Sequence, residues 1–194
     1  MKAIFRKIRA LADPYLRTRD NDIHTDISTI MARALLEKQG GDEDIVIPAI
    51  ILHDVGWKTV PEAQQIMAYG PKATRPELNR QHEVKGVEIA GDILAAVSYD
   101  PEKTEEILEI ISGHDSRETP LSLNDRIVKD ADKLWRFTRE AFRIDNRRFQ
   151  LTPAQSLSRL YASLDGWLFT DTARTIALEE LGRRRRQMTN DATF

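Results

Sequence analysis

The run Ile45–Leu52 (IVIPAIIL) is apolar on every side. A segment without a polar face cannot lie on a surface, so other parts of the chain must cover it all round. A membrane span needs about 20 apolar residues, and this run is far shorter. It therefore reads as a helix buried in a folded core. Pro48 lies about one turn from its start, where proline does least harm.

The chain around this run supplies the cover, and nearly all of it has helical periodicity. In the N-terminal stretch, Ile4, Ile8, Leu11 and Tyr15 fall at helical spacing. Arg6, Lys7 and Arg9 break the continuous apolar core that a secretory signal needs. A first packed helix is the better reading, with a transit peptide as the alternative. From His24 to Gln39 a stripe of Ile23, Ile27, Ile30 and Ala34, with Met31 and Leu35 beside it, runs to Gly40-Gly41. Residues 57–79 contain Pro61, Gly70, Pro71 and Pro76 and read as a long connection with one short helix near 61–69. Long connections of this kind often cover a site and set its specificity.

Arg80 to Ser98 is helical again, through Val87, Ala90, Leu94 and Val97. Asp100-Pro101 is an N-cap followed by proline at the first helical position. The helix it opens carries Ile107, Ile110 and Ile111 and ends at Gly113. Ser122, with Asp125 three residues on, starts another through Ile127, Ala131, Leu134 and Trp135. Thr152-Pro153 opens the last region, where Leu157, Leu160, Tyr161, Leu164 and Leu168 recur, with Gly166 and Gly182 as interruptions or ends.

No stretch alternates with period two. The pattern predicts an all-α fold of about seven to nine helices. A boundary near Gln150–Pro153 separates a domain of residues 1–150 from a helical extension, 151–194. The extension's apolar stripe either packs on the core or joins two subunits as a homodimer.

The 194 residues fit one domain with such an extension. Lys and Arg number 29 against 31 Asp and Glu, a net charge of -2, so no global field favours nucleic acid or an anionic membrane. Cytoplasm is the default location. The run Arg183–Arg186 reads as a solvated helix end whose cations complement the macrodipole, ahead of a site for nucleic acid or an acidic partner. Cysteine is absent, which excludes disulfides, thiolate zinc sites and a Cys nucleophile. No Gly-x-Ser-x-Gly turn, Walker loop or dinucleotide glycine fingerprint occurs.

The chain has four histidines, His24, His53, His82 and His114, each on or at the end of a predicted helix. Burying four imidazoles separately would need four sets of hydrogen-bond partners. One shared cation satisfies them together. Imidazole nitrogen and carboxylate oxygen suit zinc, iron, manganese or another borderline divalent metal.

The order His24 … His53-Asp54 … His82 … His114 … Asp132 resembles the HD-domain superfamily of metal-dependent phosphohydrolases. His24-Thr25 opens a helix, IILHDVGWK carries the His-Asp doublet, IISGHD supplies a later histidine, and IVKDADKL places an Asp in a helix. The match runs from about Ile23 to Trp135. It implies an HD-like helical bundle that binds one or two divalent ions (Mn, Fe, Co, Zn, Ni or Mg), with two favoured. The implied ligands are His24, His53, Asp54 and Asp132 for one ion, and His82 and His114 for the second, with Asp54 bridging and catalytic. Asp130 is the rival of Asp132, and Asp115 is either a partner that would orient His114 or a solvated loop carboxylate.

By the same resemblance, a water activated by the metals would hydrolyse a phosphate ester or anhydride of a small phosphorylated molecule, a nucleotide being the favoured class. Lys58, four residues after the doublet, would be catalytic with Asp54 and meet the substrate phosphate. Arg80 and Arg117 would bind substrate as well, and Lys85, Lys129 and Lys133 would add positive potential. For each of these cations the alternative is an ordinary surface charge. Two other readings stay open: a di-iron oxygenase on the same ligand order, and a non-catalytic module that senses a nucleotide.

Overall fold

A computed structural model describes residues 1–71 and 73–191. Among them there are ten α-helices and no strand: α1 (Ala3–Leu16), α2 (Asn21–Gln39), α3 (Glu43–Leu52), α4 (Glu62–Gln65), α5 (Glu77–Ala96), α6 (Pro101–Ile111), α7 (Leu123–Leu134), α8 (Arg139–Phe149), α9 (Pro153–Trp167) and α10 (Asp171–Asp191). Short 3₁₀ turns follow α3 (Val55–Thr59) and α7 (Trp135–Phe137).

Helix α3 is the axis of the fold. Every residue from Ile45 to Leu52 is buried. Each buried branched aliphatic side chain contributes roughly 1.5–3 kcal/mol, so the position of α3 is firmly held. Asp42 caps it by accepting from the Asp44 N–H at 2.8 Å. Pro48 cannot donate to the Asp44 carbonyl one turn back. The Tyr99 hydroxyl donates to that carbonyl instead, at 2.6 Å.

Helices α1, α2, α6 and α7 pack directly on α3, α7 also packs on α2, and α5 packs on α6 and on the Val55–Thr59 turn. The sequence-predicted caps are present: Asp100, Ser122 and Thr152 each accept from a backbone N–H of the first turn, and Thr152 with Gln155 forms a full capping box.

Two buried faces differ from the predicted stripes. Helix α1 buries Phe5, Ile8, Ala12 and Leu16 and leaves Leu11 exposed. Helix α2 turns inward a small and polar face, with His24, Thr25, Ser28, Ala32 and Leu35, and leaves Ile30 exposed. Small residues let α2 approach α3 and α7 closely, which brings His24 to the interior.

In α9 and α10, and in the link between them, Leu160, Leu168, Ala173, Ala177 and Leu181 belong to the same buried cluster as α3. Gly182 lies inside α10, so Arg183–Arg186 is not at a helix end. Arg183 and Arg184 pair with Glu180, and Arg184 is buried. Among the described residues no helix is long and apolar enough to cross a membrane.

Candidate metal centre

The His-Asp doublet stands where α3 ends. His53 is still helical, and Asp54 takes φ −104°, ψ 6°, the sparsely populated bridge region where many site residues sit. The chain then turns through Val55–Thr59 against α5. A β-carbon on Gly56 would lie 1.9 Å from the His82 carbonyl oxygen and 2.5 Å from the Gly86 nitrogen. Only glycine allows α5 so close, and this contact brings His82 beside Asp54.

Two imidazoles are oriented by the backbone. His53 Nδ1 lies 2.8 Å from the Ile50 carbonyl, and His114 Nδ1 lies 2.8 Å from the Ile111 carbonyl. A carbonyl only accepts, so each Nδ1 carries a proton, and in the neutral ring Nε2 presents a lone pair. The other two rings are oriented by indoles. His82 stacks on Trp57 at 4.0 Å, and His24 meets Trp135 edge-on at 4.6 Å.

All four Nε2 atoms converge, in two pairs. His24 Nε2 and His53 Nε2 are 2.9 Å apart, and His82 Nε2 and His114 Nε2 are 3.1 Å apart. Asp54 lies between the pairs. Its Oδ2 is 3.5 Å from His24 and 3.7 Å from His53, while its Oδ1 is 3.6 Å from His82 and 3.5 Å from His114. Asp132 Oδ1 joins the first pair at 3.3 and 3.5 Å, and Asp115 Oδ2 joins the second at 3.7 and 3.8 Å.

Three overlapping groups could therefore hold an ion: His24–His53–Asp132, His53–Asp54–His114 and His82–His114–Asp115. Two nitrogens bound at right angles, each about 2.1 Å from one ion, stand about 3.0 Å apart. The observed pairs fit that spacing, and nitrogen with carboxylate oxygen is a donor set for borderline divalent metals.

The charges follow from this crowding. Burial opposes ionisation of Asp54, but His53, His114 and Arg19 hold its carboxyl well below the usual range. Burial likewise opposes ionisation of Asp132, and Lys133 with His24 and His53 overcomes it. Burial and the neighbouring His114 push His82 down to about 4. For His114 burial works the same way, but Asp54 and Asp115 outweigh it and raise it to about 9.

Several residues have other places than the sequence predicts. Asp115 does not sit behind His114, whose Nδ1 is taken by Ile111. It faces the ring nitrogens and bonds Lys133 Nζ at 2.7 Å. Asp130 points away from the centre and accepts from the Phe169 and Thr170 N–H groups and the Thr170 hydroxyl, fastening the start of α10. Lys58 is exposed, and its ammonium reaches the Arg17 carbonyl, because the 3₁₀ turn puts Trp57 inside and Lys58 out. The Trp57 indole donates to Asp54 Oδ1 at 3.0 Å.

Arg80 bonds Glu83 and the Ser112 carbonyl, and Arg117 bonds Asp125 and the Glu109 carbonyl. Neither lines the cleft. Lys85 pairs with Glu88 at the surface. Lys129 is buried and donates to the Gly113, His114 and Arg117 carbonyls.

Sequence reasoning passed over Glu83. It is fully buried, next to His82, and accepts from the Asp115 and Ser116 N–H groups and the Ser116 hydroxyl. Glu83 and Lys129 together clamp the turn that carries His114 and Asp115.

The centre opens into a cleft of about 180 Å³. Its walls carry Arg19, Lys133, Arg136, Arg148 and Arg159, and the rings of Trp57, Tyr69, Trp135 and Trp167. Tyr69 and Trp57 come from the predicted connection 57–79. Arg19 donates to Asp54 Oδ2 at 3.2 Å and lies over the Trp57 and Tyr69 rings. Arg19 and Asp20 both have positive φ, 41° and 61°. Positive φ is uncommon for such residues, and nothing in the sequence announced it.

The HD domain family matches residues 22–136, which include all six sequence-predicted metal ligands. No curated protein matches the chain significantly. A crystal structure described as a predicted HD superfamily hydrolase from an uncultured Thermotogales bacterium is similar in fold, with a TM-score of 0.65 at 19% identity over 97% of this chain and 91% of that one. With the ordered histidines and aspartates gathered at one buried point, the chain belongs to the HD domain family.

Proposed function

We propose that this protein is a divalent-metal-dependent phosphohydrolase that uses two metal ions to cleave a phosphate ester or anhydride of a small molecule, with a nucleotide as the favoured class. The carrying observation is Asp54, whose two oxygens face different histidine pairs. One ion would be held by His24, His53, Asp132 and Asp54 Oδ2. The other would be held by His82, His114 and Asp54 Oδ1, with Asp115 within reach. Bound divalent ions supply Lewis acidity, which lowers the pKa of water toward neutrality and offsets charge on phosphoryl oxygens.

The chain's own residues do the rest. Arg19 and Lys133 present charged N–H donors at the mouth of the centre and suit the non-reacting phosphoryl oxygens. They supply the charge the sequence assigned to Lys58. Lys133 also holds Asp115 and Asp132 in their ionised forms. The aromatic walls offer stacking faces for a planar base.

The test is phosphate release from a nucleotide panel and a generic phosphodiester. The protein is stripped with chelator and reloaded in turn with Mn, Fe, Co, Ni, Zn and Mg. Cleavage should depend on metal, and Asp54→Ala should lower it roughly 10³-fold or more, the several kcal/mol that metal activation supplies. Full activity in that variant would contradict the reading. So would substrate-dependent oxygen uptake without phosphate release.

A further inference from the structure

The cleft extends beyond the metal centre. Trp135 lies against His24, Arg136 stands 5.7 Å from the Trp135 ring and 5.9 Å from the Trp167 ring, and Arg159 also lies 5.9 Å from the Trp167 ring. A smaller recess between α8 and α9 continues from Arg136, Arg159 and Trp167.

Most cations along this path already have carboxylates. Arg19 pairs with Asp54, Lys133 with Asp115 and Asp132, Arg136 with Asp145, and Arg148 with Asp145 and Asp20. Arg159 differs. Its guanidinium lies 5.6 Å from the Phe149 ring and 5.9 Å from the Trp167 ring. Among the described residues it has no hydrogen-bond acceptor and no ion-pair partner. Burial and the neighbouring Arg136 disfavour its charge, and the nearby Asp145, already shared by Arg136 and Arg148, offsets them only in part. A half-buried guanidinium has five donors in a fixed fork. Holding one here, unpaired and next to another, makes sense if an anion arrives from outside.

We infer that Arg159, with Arg136, forms a second anion-binding subsite at the outer end of the cleft. It would read a phosphate or carboxylate on the same molecule whose reacting phosphate lies at the metal centre. The inference rests on the phosphohydrolase reading and narrows the substrate to small molecules with two anionic groups. The spacer between them passes the Trp135 and Trp167 rings, so a planar or sugar-like spacer fits.

Three matched probes test it: phenyl phosphate, 4-carboxyphenyl phosphate and 1,4-phenylene bisphosphate. Charge-assisted bonds of this kind translate to about tenfold or more in affinity. The metal-loaded protein should therefore favour one or both doubly anionic probes by at least about tenfold in kcat/KM. The favoured probe tells carboxylate from phosphate. In Arg159→Gln the ratio between doubly and singly anionic probes should collapse toward one, and Arg159→Lys should keep part of it. Unfolding temperatures establish that both variants fold.

Equal use of all three probes by the wild type, or an unchanged ratio in Arg159→Gln, overturns the subsite. If none of the probes is cleaved, the hydrolytic reading fails on them. Calorimetric titration with phenylphosphonate and 1,4-phenylene bisphosphonate then decides the subsite alone. A selective loss of bisphosphonate affinity in Arg159→Gln supports it, and equal affinity for the two proteins overturns it.

Discussion

His24 and His53 stand on α2 and α3, and their carboxylate partner Asp132 on α7, three helices that pack on one another and carry the main core. His82 and His114 stand on α5 and on the turn after α6. They reach Asp54 through a glycine contact at residue 56 and a turn pinned by two buried charges, Glu83 and Lys129. Asp132 is nearly buried, whereas the Asp115 side chain is a quarter exposed. The first half of the centre is held by the same burial that folds the protein. The second shares that core through α5 and α6, but its approach to Asp54 depends in addition on a close backbone contact and on charge-assisted hydrogen bonds. The second half should therefore be separable from the first.

Gly56→Ala gives the largest expected separation. The added β-carbon meets backbone, which cannot swing aside, so α5 must retreat and carry His82 with it. Metal content should drop to about one ion per chain, with a stability loss of about 1–3 kcal/mol in denaturant unfolding. A variant that keeps two ions at wild-type stability would erase the distinction between the halves.

Glu83→Gln removes the charge that holds the turn but keeps the shape. Affinity for the second ion should fall about 10–100-fold, the usual cost of losing an outer partner of metal ligands. Binding of the first should stay as it is. Competition titration with a chromophoric chelator resolves the two steps, and equal weakening of both would contradict the comparison.

The pH dependence sharpens it further. His114 is raised from 6.5 to about 9 in the metal-free protein. A histidine raised on folding stabilises fully below its unfolded pKa, and that stability is lost as pH climbs through the folded value. Chelated protein should therefore lose stability from about pH 6.5 to about pH 9. Second-site metal binding needs the neutral ring, so its affinity should rise over the same window, by up to about tenfold per pH unit. Unfolding temperatures with chelator and with manganese should diverge as pH rises, and parallel curves would break the account.

The smallest effect at the metals belongs to Asp130→Ala. It frees the cap of α10 and should cost about 1–2 kcal/mol of stability, yet leave metal content unchanged. Loss of metal in this variant would make Asp130 part of the centre.

The six residues that the structure gathers were legible because each sits in a local pattern: a doublet after an apolar run, a histidine continuing an isoleucine face, an aspartate in a capped helix. The caps at Asp100, Ser122 and Thr152 were legible for the same reason. The buried face of α2 was not, since its isoleucines gave a stronger hydrophobic signal than the inward His24–Ser28 side. Helix α8 was missed because only Ala141 and Ile144 of its residues are fully buried. Glu83 reads as an ordinary surface acid until α5 is seen against the His114 turn. Arg19, Arg148 and Arg159 meet at one cleft from positions far apart in sequence, and no local spacing could have joined them.

Diffraction from crystals loaded with manganese, measured at the metal's absorption edge, tests the centre most directly. Two anomalous peaks per chain are expected, one beside His24, His53 and Asp132 and one beside His82 and His114, with Asp54 contacting both. A single peak, or peaks away from Asp54, would contradict a centre built on that carboxylate.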